Sequence, residues 1–157
     1  MSDADQILAM IRSGGVFHNV SGSNPEEAFA DIVQRVPLPA GVTSTDLLNG
    51  LIERERLMTT SVGSGIAIPH PRNPVIQEEA DERMYVCYLD RALNFDAMDG
   101  KPVYVLFVIL SSSSQNHLRA LSRLSWLFQQ ESFQSVLMKK PDTNELTDVI
   151  QQYYNKE

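Results

Sequence analysis

A chain of 157 residues, 43% hydrophobic and 21% charged, has the makings of one soluble domain with a sizeable core. Its formal net charge of −7 at pH 7 argues against a nucleic-acid-binding surface and favours docking on a basic protein partner. The one cysteine, Cys87, excludes an internal disulfide and suits a reducing compartment.

The residues from Ser2 to Arg12 read as a first helix, with Ile7, Leu8 and Ile11 on one face and Gly14-Gly15 ending it. VFHNV, residues 16–20, is a short strand candidate. SNPEEAFADIVQRV opens as a helix should: Asn24 can cap, Pro25 takes the first helical position, and Glu26 and Glu27 complement the dipole. Its stripe is Phe29, Ile32, Val33 and Val36. After the breaker PLPAG, a third helix is expected to follow Ser44 or Thr45, with Leu47, Leu48, Leu51 and Ile52 inward and fraying in ERER.

Ile66, Ala67 and Ile68 form a strand candidate broken at Pro69. MYVCYL (84–89) and VYVLFVIL (103–110) are further strands, separated by a turn at Asp99-Gly100. The second is apolar throughout, as a central strand covered on both faces requires. SSSSQNHLRALSRLSWLFQQ gives a polar loop rich in serine caps and then a long helix. A short helix around Phe133–Lys139 and a last one around Asn144–Tyr154 close the chain. The apolar run in PVYVLFVIL is far too short to cross a bilayer, and MSDADQILAMIRSGG lacks the layout of a signal peptide. A cytoplasmic location without direct membrane insertion is therefore expected.

Candidate chemistry concentrates on the histidines. His18, inside VFHNV, is read as structural. His70 follows a strand end, the place where open α/β sheets hold ligands, and Pro69 and Pro71 remove much of its backbone freedom. The spacing 117, 121, 124, 128 puts His117, Leu121, Leu124 and Phe128 on one helical face, with the imidazole at its N-terminal tip. A helix start at the same sheet edge favours an anion there. Two imidazoles beside it suggest a site for a phosphoryl group. No Cys/His or His/carboxylate cluster has metal-ligand spacing, no phosphate-binding G-x-x-x-x-G-K-[ST] loop occurs, and no G-x-S-x-G elbow is present, so neither metal nor cofactor is expected.

ERERLMTTSVGSGIAIPH resembles the phosphorylation-site segment of the EIIA domains of the bacterial phosphoenolpyruvate:sugar phosphotransferase system, of the fructose/mannitol and nitrogen-regulatory type. LNFDAMDGKPVYVLFVIL is similar to that family's strand pair, and NHLRALSRL to its second histidine followed by leucines. The resemblance implies that His70 is the phosphoacceptor, taking phosphate on Nε2 from an HPr-like carrier. It implies that His117 donates a hydrogen bond to the phosphoryl oxygens and that Arg54 neutralises their charge, with Thr60 nearby. Many relatives follow the acceptor with Gly-Lys, where this chain has Pro71-Arg72-Asn73-Pro74, and its loop before His117 is a serine run instead of a Pro-containing one.

The expected fold is a three-layer α/β/α domain over residues 1–157 with a mixed, mainly parallel central sheet. The expected function is a phosphohistidine carrier, a transferase component of nitrogen-regulatory type whose partners are an HPr-like donor and a regulatory target. The alternatives are a fructose- or mannitol-like IIA component passing phosphate to a IIB domain, and a binding module that transfers nothing.

Overall fold

The structure, a computed structural model, describes residues 3–156. The chain runs α1 (Asp3–Gly14), β1 (Gly15–Val20), α2 (Pro25–Arg35), α3 (Ser44–Leu57), β2 (Ser61–Gly63), β3 (Ile66–Ala67), a 3-10 turn (Glu79–Asp81), β4 (Arg83–Leu93), β5 (Val103–Leu110), α4 (Ser114–Phe128), α5 (Glu131–Met138) and α6 (Thr143–Asn155). The expected start of the first helix at Ser2 lies outside the described residues.

Local chemistry explains the helix starts. Asn24 Oδ1 accepts the Glu27 N–H at 2.9 Å and Pro25 opens α2. Thr43 caps α3 by accepting the Asp46 N–H at 3.1 Å, so the helix opens at Ser44 itself instead of following Ser44 or Thr45. Asp142 and Glu145 form a reciprocal capping box at α6. Contrary to expectation, α3 does not fray in ERER but continues to Leu57. Glu and Arg are good helix formers, and Arg54 and Arg56 lie in the last turn, where positive charge opposes the dipole.

The sheet has the order β1-β4-β5-β3-β2. β1 runs parallel to β4 and β3 parallel to β5, while β4/β5 and β2/β3 are antiparallel. The α/β class and the mixed sheet are as expected, with parallel pairing at two of the four junctions. Strand alternation divides the core. Met84, Val86, Tyr88, Val105, Phe107 and Ile109 face α1, α4, α5 and α6, whereas Tyr85, Cys87, Leu89, Leu106, Val108 and Leu110 face α2 and α3. Helices on both faces account for the uninterrupted apolar sequence of β5. Each large side chain withdrawn from water contributes about 1.5–3 kcal/mol before entropy is counted.

One element is absent from the expectations. Ser64 and Gly65, at φ 57° and 81°, make a tight turn between β2 and β3. Positive φ at both central residues is the geometry that suits a two-residue hairpin. The hairpin delivers the chain to β3, and β3 pairs Ile66 and Ala67 with Val105 and Leu106 of β5.

Candidate functional site

Because β3 and β5 are parallel, their carboxyl ends emerge at one edge of the sheet. Pro69 has no N–H to give to a ladder, yet its carbonyl accepts the Ile109 N–H at 2.9 Å. That bond carries the β3/β5 pairing past the strand end and sets His70 beside the last residues of β5. On its other side, Pro71 lies against α3 at Gly50, where a Cβ would come within 3.1 Å of the Pro71 Cβ.

After β5, the serine run turns into α4. Ser113 Oγ accepts the Asn116 N–H at 3.1 Å and the Ser113 carbonyl accepts the His117 N–H at 3.0 Å. His117 thus occupies the first turn of α4, and its ring meets that of His70 with centroids 4.4 Å apart and planes inclined at 53°. The two histidines singled out in the sequence, 47 positions apart, form one pair. His18 lies elsewhere, its ring 5.0 Å from that of Tyr88.

Hydrogen bonding fixes the chemistry of the first ring. His70 Nδ1 is 2.8 Å from the Ile68 carbonyl, which can only accept, so Nδ1 carries the proton. In the neutral ring, Nε2 then holds the free lone pair. Burial pushes the His70 pKa below its ordinary 6.5, the bond to Ile68 works the other way, and the Arg54 charge adds to the lowering. For His117, burial, then His70, then Arg54 bring the pKa down to about 4. His117 is therefore neutral at pH 7. Its Nδ1 lies 3.4 Å from Ser111 Oγ.

Arg54, in the last turn of α3, donates from Nη1 to the Met58 carbonyl at 2.6 Å, and its charge reaches both imidazoles. Thr60 is 4% exposed, and its hydroxyl is committed to Glu55 Oε1 at 2.6 Å. Its link to the ring pair runs through its backbone: the Thr60 carbonyl accepts the Ile68 N–H at 3.0 Å. A hollow of about 270 Å³ opens over the pair, lined among others by His70, His117, Arg72, Ser111, Ser113 and Ser114. Such a place, with a neutral nucleophilic nitrogen, a second imidazole and a nearby guanidinium, suits transfer of an anionic group, which relies on positioning and charge stabilisation.

Sequence reasoning passed over the polar side chains behind the pair. Glu82, 8% exposed, accepts the Ser112 N–H at 2.7 Å, the Ser112 hydroxyl at 2.9 Å and the Asn116 amide at 3.3 Å. It thereby ties the serine loop to the start of β4. Nothing in the local pattern around Glu82 marks it, since its partners are 30 and 34 residues away. Glu55 was legible only as the neighbour of Arg54.

The fold and this edge define an α/β protein built around two convergent histidines at the carboxyl ends of parallel strands. Residues 9–153 match the family described as "Phosphoenolpyruvate-dependent sugar phosphotransferase system, EIIA 2", and the chain belongs to that family. It is 32% identical over 151 residues to a nitrogen regulatory protein of Pseudomonas aeruginosa, covering 93% of each chain. It is 35% identical over 107 residues to the fructose-specific EIIA component of Haloferax volcanii, covering 66% of each. Among solved structures, nitrogen regulatory protein IIA-Ntr from Neisseria meningitidis superposes with a TM-score of 0.75 at 25% identity, covering 91% of this chain and 94% of that one. Among the described residues, no helix is long and apolar enough to cross a membrane.

Proposed function

We propose that this chain is a phosphohistidine carrier with His70 as the acceptor. The observation that carries the reading is the ring pair with one nitrogen already occupied: Nδ1 of His70 is bound to the Ile68 carbonyl, and its Nε2 side is left for chemistry. The Nε2 lone pair attacks the phosphorus of a phosphohistidine on an HPr-like donor. A P–Nε2 bond forms as the donor's P–N bond breaks, and the donor imidazole leaves with the electron pair. In this reading the Ser111 hydroxyl, 3.4 Å from His117 Nδ1, donates to that nitrogen, so that the His117 proton sits on Nε2 and is donated as a hydrogen bond to a phosphoryl oxygen. Arg54 offsets the charge that collects there. Thr60 holds the backbone under His70.

The regulatory branch is favoured by the match to a nitrogen regulatory protein along 93% of both chains, against 66% for the fructose-specific relative. In this reading the phosphoryl group, adding about two negative charges at one edge, decides which target protein binds. The second reading, a sugar-type IIA component that passes phosphate to a IIB domain, draws on the 35% identity to that fructose-specific component.

Incubation with phosphoenolpyruvate, enzyme I and an HPr-type carrier tests the common part. Wild type takes up acid-labile phosphate and His70→Ala takes up none while remaining folded. Equal labelling of the two would reject the acceptor, and an unlabelled wild type would leave a binding module in its place. Addition of a fructose-type IIB domain then separates the branches, since only a sugar-type component passes its label on.

A further inference from the structure

We propose that Glu55 is the positioning residue of the site, holding His70 in the tautomer and orientation that expose Nε2. The proposal rests on the reading of His70 as acceptor. Glu55 is half-buried at the end of α3, and both of its carboxylate oxygens are engaged by one residue: Oε2 by the Thr60 N–H at 2.8 Å and Oε1 by the Thr60 hydroxyl at 2.6 Å. This pair of hydrogen bonds across five residues closes the loop from α3 into β2 and fixes Thr60. From there two further hydrogen bonds lead to the ring, the Ile68 N–H to the Thr60 carbonyl at 3.0 Å and the His70 Nδ1–H to the Ile68 carbonyl at 2.8 Å.

The link is mechanical. The carboxylate fixes where the Thr60 carbonyl points, that carbonyl fixes the Ile68 peptide, and the Ile68 carbonyl selects which ring nitrogen keeps the proton. Thr59 reinforces the same strand start, its hydroxyl donating to the Phe95 carbonyl and accepting the Ser61 N–H at 3.1 Å. Glu55 also follows Arg54 directly, so one helix end places both the guanidinium and the anchor of the acceptor strand. Burial pushes the Glu55 pKa up, and the Thr60 bonds and the Arg54 charge oppose that, which fits a carboxylate kept for its partners at some desolvation cost.

The test reads His70 itself. Imidazole nitrogen shifts of uniformly 15N-labelled, unphosphorylated protein report the tautomer, and single-turnover phosphorylation reports the transfer rate at saturating donor. In wild type His70 is in the Nδ1–H form. Glu55→Ala shifts the ring to a mixture of both tautomers and slows transfer about tenfold or more, because small errors in reactive geometry are expensive. Glu55→Gln, whose amide oxygen can still accept the Thr60 N–H while its NH2 donates to the hydroxyl, recovers most of both. Leu146→Ala in α6, a core truncation of comparable thermal destabilisation, keeps the wild-type tautomer. Where Glu55→Ala does not fold, Thr60→Val serves, since it removes one of the two bonds and gives a smaller shift in the same direction. A wild-type tautomer and rate in Glu55→Ala or, in its stead, Thr60→Val would overturn the proposal. Failure of the acceptor assignment is a separate result: unlabelled His70 in wild type, with the tautomer still responding to Glu55.

Discussion

Replacing His117 with glutamine should flatten the acid side of the stability profile. In the folded chain the ring's pKa is down to about 4, against an ordinary 6.5. A histidine depressed in this way prefers to fold uncharged, so the full stability is present above about pH 6.5. It drains away as pH falls from there towards 4, while the unfolded chain gains a proton that the folded one refuses. At about pH 5 the unfolded ring is almost wholly protonated and the folded ring only about a tenth, a difference of about 2 kcal/mol for a ring shut off from water. Solvent reaches this partly exposed ring, which brings the expectation to about 1 kcal/mol. Urea unfolding of wild type and His117→Gln at about pH 7.5 and about pH 5 measures it as a double difference. His70, lowered for similar reasons, and Glu55, whose raised pKa acts in the opposite direction, remain in both proteins and largely cancel. If the two proteins lost equal stability on acidification, the buried, uncharged character assigned to the His117 ring would be wrong.

Two other substitutions bear on the site. Arg54→Gln removes a charge that lowers the pKa of both imidazoles, so both should rise in an NMR titration, and phosphoryl transfer should slow about tenfold or more. Unchanged ring titrations would place the guanidinium farther from the pair than the account requires. Gly65→Ala should cost about 2–3 kcal/mol in thermal or urea unfolding, because the residue sits at φ 81° and its Cβ would fall 2.7 Å from Tyr104 Cδ1. A loss below about 0.5 kcal/mol would show that the hairpin turn tolerates a side chain there.

The elements that announce themselves by long periodic stripes or uninterrupted apolar runs were readable from sequence. The stripe Phe29, Ile32, Val33 of α2 is buried as its spacing required, and the run 103–110 of β5 is the covered central strand it looked like. The β2/β3 hairpin was not readable as such, because strands of three and two residues carry no period, and the Ser64-Gly65 turn was visible only as an approach of glycines. β4 outruns the apolar segment 84–89 to end at Leu93, carried by pairing with β5 that slips between Tyr88 and Leu93. The convergence of His70 and His117 could be argued because parallel strands share an outlet edge. The roles of Glu55 and Glu82 could not, since each acts by holding backbone groups, and a carboxylate in a charged stretch looks like any solvated one.

The most direct measurement is the identity of the phosphorylated atom. Protein phosphorylated by an HPr-type donor, labelled with 15N in its histidines and examined by heteronuclear NMR, reports both the residue and the ring nitrogen that bear the phosphoryl group. With Nδ1 of His70 held by the Ile68 carbonyl, the result predicted is a single phosphohistidine substituted at Nε2 of His70. Phosphate at Nδ1 of that ring, or on His117 or His18, would contradict it.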